Sequence, residues 1–118
     1  MDYTILIFET AKDFAERTDQ STREAYWSAW QLYTKALKDA GIFVGGAGLQ
    51  PPEAATTLKF RGEERFVQDG PFADIKEQLA GFYIINVPDL DSALSWAARC
   101  PRSSSRIIEI RPNLPPMY

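Results

Sequence analysis

Residues 81–111 read GFYIINVPDLDSALSWAARCPRSSSRIIEIR and contain a complete β-α-β unit. Residues 81–87 are rich in aromatic and β-branched side chains, which favour a strand. Asp89 is a typical helix N-cap residue, and Pro101 follows the position where that helix should end. Residues 106–111 predict the closing strand. Between the two strands the apolar residues repeat at helical spacing: Leu90, Ala93, Leu94 and Ala97.

The N-terminal half shows the same order of elements. Residues 3–8 form a β-branched and aromatic run that predicts a strand. Ser21 and Glu24 have the spacing of a capping box, and Gly41 is suited to ending a helix. We therefore predict a helix over about residues 22–40, followed by a strand that opens at residues 42–44. One apolar stripe supports this helix: Tyr26, Trp30, Tyr33, Leu37 and Ala40.

Two strand-like runs in the middle of the chain, residues 56–60 and 65–68, flank a turn and predict a hairpin. The complete order is β-α-β, hairpin, β-α-β, which is the ferredoxin-like split βαβ pattern of the α+β class with one extra hairpin. With 118 residues, 45% of them hydrophobic, the chain predicts a single domain over residues 1–118. The proline-rich tail, residues 112–118, is not expected to extend the sheet.

Both faces of the predicted sheet are apolar. In residues 3–8 and again in residues 81–87, each of the two alternating sets of side chains is apolar. The sets are Tyr3, Ile5 and Ile7 against Leu6 and Phe8, and Tyr83, Ile85 and Val87 against Phe82 and Ile84. Two helices cover only one face of such a sheet, so the other face needs a second cover. We predict a homodimer whose sheets pack face to face as an α+β barrel; a core strand of a slightly larger monomer is the alternative.

The last predicted strand is different, because Glu109 and Arg111 share a face with Ile107. One interpretation is a polar group that lines a cavity between the sheet and a partner copy. The other is an exposed ion pair on an edge strand, which contributes little to stability.

The composition argues against several classes of function. The chain has no histidine, which removes the commonest general base and the usual partner of a serine or cysteine nucleophile. The net charge is -3, without a basic cluster, so no nucleic-acid binding is expected. Cys100 is interpreted as a buried apolar residue. The N-terminus lacks a basic region and its apolar run is short, so we expect no signal peptide, no membrane span and a cytoplasmic location.

Phosphate-binding and metal-binding motifs are missing as well. Gly45-Gly46-Ala47-Gly48 is followed by Leu49-Gln50-Pro51 instead of a third glycine and a helix start, so a dinucleotide fingerprint is not present. These glycines are interpreted as a tight turn or a bulge. The acidic residues show no ligand spacing, and we predict neither a metal nor a cofactor.

The segment Asp69-Gly70-Pro71-Phe72 is the main candidate for chemistry. A Gly-Pro turn between two strands would hold the Asp69 carboxylate in place, and Phe72 would provide an apolar wall. An aspartate in that setting can serve as an acid or base near neutrality. The alternative is that Asp69 only accepts hydrogen bonds from turn amides, as aspartate commonly does.

The longer run DGPFADIKEQLAGFYII, residues 69–85, resembles the signature of the DGPF-domain proteins, a branch of the YCII-related superfamily. The resemblance extends over roughly residues 3–112 and includes Tyr26-Trp27 and the closing Glu109-Ile110-Arg111-Pro112. It implies a ferredoxin-like α+β barrel dimer with an active-site cleft near the signature aspartate. Two positions depart from the signature, since Asp74 stands where Glu is usual and Ala80 where Gly is usual.

This resemblance leaves the function open. Members resemble a dehydrochlorinase that acts on a chlorinated hydroxyhydroquinone, and DGPF proteins are often associated with extracytoplasmic-function sigma factors. The YCII branch is credited with a His-Asp pair. A chain without histidine does not contain that pair, so its proton-transfer mechanism does not carry over.

We therefore predict a small dimeric domain that binds a small planar or anionic molecule in a cleft near Asp69. Asp69 is the predicted polar anchor, or the catalytic acid/base in a lyase-like version. The predicted binding residues are Phe72, Lys76, Glu77, Glu109 and Arg111. The alternative is a non-catalytic regulatory or interaction module tied to sigma-factor-type transcription control. Trp27 lies off the helical stripe and is a candidate for a role in a cavity or a dimer.

Overall fold

A computed structural model describes residues 1–116, which contain six strands and three α-helices. The strands are β1 (Asp2–Glu9), β2 (Phe43–Gly48), β3 (Thr56–Arg61), β4 (Glu64–Asp69), β5 (Gln78–Asn86) and β6 (Ile107–Pro112). The helices are α1 (Ala11–Glu16), α2 (Arg23–Asp39) and α3 (Leu90–Ala97), and a short 3-10 helix covers Pro52–Ala54.

Four strands form one antiparallel sheet in the order β2-β5-β1-β6, and β3 and β4 form a separate hairpin. With the hairpin set aside, this is the strand order of a ferredoxin-like fold. In this order, one strand of each β-α-β unit lies between the two strands of the other unit. The predicted α+β class, the split βαβ pattern and the extra hairpin are confirmed.

The core lies between the helices and one face of the sheet. Strand β1 alternates strictly, and every second residue from Tyr3 to Glu9 is buried. This face packs against α2 and α3, as the apolar stripes of the two helices predict. The buried cluster includes Tyr3, Ile5, Ile7, Tyr33, Leu37, Ile85, Val87, Ala93 and Ala97.

The helix ends agree with the sequence analysis at α3 and at the C-terminal end of α2, and differ at the N-terminal end of α2. Asp89 caps α3 by accepting a hydrogen bond from the Ser92 N–H at 2.8 Å. The predicted capping box at Ser21 is wrong, because the Ser21 hydroxyl donates to Asp19 at 2.6 Å and no side chain caps α2. Gly41 follows α2 with a φ of 72°, a left-handed conformation that glycine adopts without strain.

The C-terminal tail joins the sheet for one residue more than predicted. Pro112 is the last residue of β6 and lies opposite Tyr3. Because β6 is an edge strand, the missing N–H of a proline disrupts no interior ladder. The last two residues of the predicted tail, 117 and 118, lie outside the described residues.

Strands β2 and β5 approach closely through glycine. A Cβ atom built on Gly46 would lie 2.6 Å from the Phe82 carbonyl oxygen, and one on Gly81 would lie 2.8 Å from the Ala47 carbonyl oxygen. The register of β2 also shifts between Phe43 and Gly45. The irregularity therefore lies at Val44, just before the glycine run, while Gly46 and Gly81 allow the close strand contact.

The hairpin projects away from the main sheet. Four of its large apolar side chains are exposed: Leu58, Phe60, Phe66 and Val67. The radius of gyration is 16.1 Å. A compact chain of this length should have roughly 13.5 Å. The hairpin therefore adds apolar surface that the rest of the chain does not cover.

Asp13 fastens α1 to the loop that precedes β6. Its carboxylate is 1% exposed and accepts hydrogen bonds from the hydroxyls of Ser103 at 2.7 Å and Ser105 at 2.9 Å. Burial by itself raises the pKa of Asp13, but the hydrogen bonds outweigh it, and the pKa lies below its ordinary value. Helix α1 escapes the sequence analysis because six residues form fewer than two turns.

We expect Asp13 to make the stability depend on pH. Because its pKa is lowered by folding, its contribution is complete above the unfolded value of 3.8 and disappears as the pH falls through the lower folded value. Asp13→Asn should lower the free energy of unfolding by about 1–3 kcal/mol at pH 7, with a smaller loss between pH 5 and pH 2 than in the wild type. Urea titrations at several pH values measure the free energy of unfolding. Asp39→Asn, on the exposed side of α2, is the control. The same dependence of stability on pH in Asp13→Asn as in the wild type would contradict the prediction.

A second prediction concerns the contact between β2 and β5. Gly46→Ala should lower the free energy of unfolding by about 1–3 kcal/mol, because its Cβ has no room beside the Phe82 carbonyl. Gly45→Ala is the matched control, since a Cβ on Gly45 meets nothing within 4 Å. Urea unfolding of both variants measures the difference; equal midpoints would show that the close approach does not limit stability.

Candidate functional site

A cavity of about 250 Å³ lies between α2 and the part of the sheet formed by β2 and β5. Its aromatic and hydroxyl-bearing wall comes mainly from α2, its glycine-rich wall comes from β2 and β5, and the end of β1 closes it. The lining residues include Glu9, Arg17, Tyr26, Trp27, Trp30, Thr34, Gly46, Gly81 and Tyr83.

The local sequence explains why a space remains here. Large rings on α2 face strand positions occupied by glycine and alanine, so the two walls cannot interdigitate fully. Trp30 and Tyr83 stack with ring centroids 6.4 Å apart. Trp27 lines the same cavity while 45% of it is exposed, which places this residue at the solvent side.

A buried ionic cluster forms the polar end of the cavity. Glu9 is 0% exposed, and its carboxylate lies 3.2 Å from the Arg17 Nη2 atom and 2.8 Å from the Arg106 Nη2 atom. The Tyr26 hydroxyl shares its proton between the two carboxylate oxygens, at 3.0 and 2.8 Å. Burial of a carboxylate is tolerated here because charged and neutral donors surround it.

Arg17 connects this cluster to the cavity wall. Its Nε atom donates to the Tyr26 hydroxyl at 3.1 Å, and its Nη2 atom donates to the Ala80 carbonyl at 3.1 Å. The Trp27 indole N–H in turn donates to the Arg17 carbonyl at 3.0 Å. The guanidinium carbon lies 5.6 Å from the Trp27 ring centre, within range of a cation–π contact.

The tyrosines of the cavity are neutral at physiological pH. Burial raises the pKa of Tyr26 to about 12, and hydrogen bonding to Glu9 adds to this effect, although Arg17 opposes it. Burial also raises the pKa of Tyr83. Both hydroxyls are therefore protonated near neutrality and are available as hydrogen-bonding groups.

The predicted catalytic residue, Asp69, lies elsewhere, at the exposed end of β4 and opposite Thr56. The neighbouring Gly70 has a φ of 96°, and its N–H donates to the Ala55 carbonyl at 2.7 Å. Phe72 is 77% exposed, with the Lys59 ammonium 5.5 Å from its ring centre. Asp69 and Phe72 thus lie at the base of the hairpin, outside the cavity beneath α2.

The other predicted binding residues fall into two places. Lys76 lines an open groove between α1 and the signature segment, and Glu77 is half-buried next to it in the chain. Glu109 and Arg111 form an ion pair of 2.6 Å on the edge strand β6, on the face turned away from the helices. Neither place is part of the cavity beneath α2, and the roles assigned to these residues stay predictions.

The sequence analysis missed the ionic cluster. The position of Glu9 in the sequence could have indicated it, because Glu9 continues the alternation of Tyr3, Ile5 and Ile7 along β1. This alternation places the Glu9 carboxylate on the core side of the strand. A buried carboxylate requires cationic partners. Arg17 and Arg106 show no comparable signal, because nothing in their neighbourhood along the chain brings them to Glu9.

Neither a metal-binding cluster nor a membrane-spanning helix is found within residues 1–116. Among residues 1–116, no three Cys, Asp or Glu side chains come together in a way that could hold a metal ion. Within the same part of the chain, no helix combines the length and the apolar character needed to cross a bilayer.

Comparison with known proteins places the chain in a family. The model of the YCII-related domain matches residues 1–115. An uncharacterised protein of Rhizobium meliloti (strain 1021) is 43% identical over 76 residues, which are 63% of this chain. The match covers 61% of that relative's own length. Together with the signature segment and the ferredoxin-like sheet, the family match shows that this chain belongs to the YCII-related domain family.

Proposed function

We propose that this domain binds a small molecule in the cavity beneath α2. Trp27 would contact the ligand at the solvent side, and the Arg17–Glu9–Tyr26 group would form the polar inner end. The observation that carries the proposal is the coexistence of a cavity of about 250 Å³ with a buried ionic cluster in its wall.

Both the cavity and the buried ionic cluster lower the stability of the fold relative to a close-packed apolar core. The cavity is open to solvent on one side, and the residues that line it lack the packing contacts they would have in a close-packed interior. A buried ionic cluster is also seldom better for stability than apolar residues of the same volume. Apolar rings with a few placed polar groups are, however, the usual composition of a ligand pocket, and about 250 Å³ suits a molecule of one or two rings.

The lyase-like role of Asp69 is a separate proposal, because Asp69 does not line this cavity. It would apply to a ligand bound at the base of the hairpin, next to Phe72. A ligand confined to the cavity beneath α2 would be bound without Asp69.

We also propose that the domain works as a homodimer joined through the outer face of the main sheet. Leu6 and Phe82 lie opposite each other on this face, as do Thr4 and Ile84, and these side chains remain partly exposed. Ile107 adds a half-exposed side chain on the same face, opposite Phe8. An apolar patch of this kind, bordered on β6 by the ion pair of Glu109 and Arg111, marks an interaction surface, and a second copy offers a matching patch by two-fold symmetry.

We expect Trp27→Phe to weaken binding of ring compounds in the cavity. A panel of soluble one-ring and two-ring aromatic compounds is screened by ligand-observed NMR, and Kd values are measured by calorimetry. The variant should raise Kd by about 2- to 10-fold, because part of the aromatic contact is lost.

Trp96→Phe is the matched control, since Trp96 belongs to α3, packs against Arg99 and does not line the cavity. It should leave Kd unchanged. Failure of the whole panel to bind the wild type, or an equal effect of the two variants, would remove the support for this proposal.

For the dimer, light scattering at micromolar concentration should give a mass of about twice 13.3 kDa. Ile84→Glu places a charge in the centre of the outer face and should shift the mass to that of one chain. Leu32→Glu, at a position of α2 that is 68% exposed, should leave the dimer intact. A wild-type mass of one chain would refute the dimer, whatever the variants do.

A further inference from the structure

We infer that the β3–β4 hairpin packs against the same hairpin of a second copy, and that Arg65 of each copy pairs with Asp69 of the other. This inference rests on the proposed homodimer and adds a second contact between its two copies. It also provides a cover for the apolar side chains of the hairpin.

The hairpin has no packing partner within residues 1–116. Strands β3 and β4 pair only with each other. Every residue of β4 is exposed, and so is every residue of β3 except Thr57. A two-stranded hairpin alone is marginally stable in water and needs a further strand or a helix to pack against. We therefore expect another molecule to cover it.

One face of the hairpin is apolar in the middle and charged at both ends. Residues that lie opposite each other in the register share a face, and every second residue along a strand lies on that face. We call it the Leu58 face. From the base of the hairpin to its tip, the rows of this face are Thr56 with Asp69, Leu58 with Val67, and Phe60 with Arg65.

The opposite face of the hairpin already has a local cover. The Arg61 guanidinium carbon lies 5.6 Å from the ring centre of Phe66, on the same face. No such cation–π contact covers Phe60 within the described residues, and Phe60 is 68% exposed compared with 44% for Phe66. The Leu58 face is therefore the face that lacks a cover.

The two charges of the Leu58 face have no partner in their own chain. Neither Arg65 nor Asp69 forms a salt bridge within residues 1–116. The two residues are four positions apart on β4, which separates their Cα atoms by about 13 Å. They do not pair with each other at this distance, so both charges are available to another molecule.

This face is complementary to a second copy of itself. Val67 lies midway between Arg65 and Asp69 along β4. A two-fold axis that lies between two Leu58 faces, at right angles to the strands and level with Val67, puts the tip of each hairpin over the base of the other. Arg65 then meets the partner's Asp69, and the same contact occurs twice.

The other way of stacking two Leu58 faces is unfavourable. A two-fold axis parallel to the strands puts tip over tip, which brings the two Arg65 side chains together at one end and the two Asp69 side chains together at the other. Like charges placed together oppose association. The charge pattern therefore selects the arrangement of tip over base, in which Leu58 and Val67 of both copies pack in the middle.

The hairpin contact is too small to hold two copies together by itself. Two strands of six residues cover about 200 Å². A stable interface buries roughly 800 Å² per partner. The hairpins therefore strengthen the association through the outer face of the main sheet and do not replace it.

The test uses two variants with opposite charge changes. Arg65→Asp makes both ends of the Leu58 face acidic, and Asp69→Arg makes both ends basic. Each variant alone should raise the Kd of association, measured by sedimentation velocity over a dilution series, by at least about tenfold, because two like-charge contacts replace two ion pairs. An equimolar mixture of the two variants should return to within about threefold of the wild-type Kd, because opposite charges then meet at both ends.

A matched control pair makes the same changes of net charge on the opposite face of the hairpin. Lys59→Glu and Glu64→Lys should leave the Kd of association at its wild-type value, both alone and mixed. Circular dichroism confirms that all four variants are folded.

The outcomes separate this inference from the proposed dimer. Wild-type association of Arg65→Asp and of Asp69→Arg would overturn the hairpin contact and keep the dimer through the outer face. Weakened association that the mixture does not recover would overturn the pairing of Arg65 with the partner's Asp69. A wild-type protein that stays monomeric would refute both the hairpin contact and the proposed dimer.

Discussion

The ion pairs of Glu9 are the constraint on which the arrangement around α2 depends. This one carboxylate, at the end of β1, joins Arg17 after α1, Tyr26 of α2 and Arg106 just before β6. A buried carboxylate without such partners would destabilise the fold by several kcal/mol, about 3–5 when one partner of a buried pair is removed. The cluster therefore keeps α2 at a defined place over the sheet, and the cavity exists because this place leaves a gap above Gly46 and Gly81.

The small residues of β2 and β5 and the rings of α2 have complementary effects. Gly46 and Gly81 bring the two strands together more closely than side chains would allow. The same absence of side chains removes the material that would otherwise fill the space beneath Trp30. Strand pairing and cavity formation thus share one cause, and the polar end of the cavity is formed by the same groups that hold α2 in position.

The signature segment of the family and the cavity lie in different parts of this chain. The signature runs from the base of the hairpin, at Asp69, into β5, and only its second part reaches the cavity, through Ala80 to Tyr83. Gln78 orders the turn between them by donating to the carbonyls of Ala73 and Ile75. The signature therefore supplies a strand of the cavity wall in addition to an exposed turn, and the proposed ligand site depends on the strand.

The amino-acid sequence alone determined the local structure: the strand runs, the stripe of α2, the Asp89 cap and the two apolar sheet faces all follow from short-range spacing. It also identified the family, through a contiguous run of residues. The ionic cluster was decided only in the tertiary structure, because Glu9 and Arg106 are 97 residues apart in the chain and meet only when β6 pairs with β1. The cavity was likewise decided there, since it depends on the distance between α2 and the sheet, and residue spacing along a chain contains no information about a distance between packed layers.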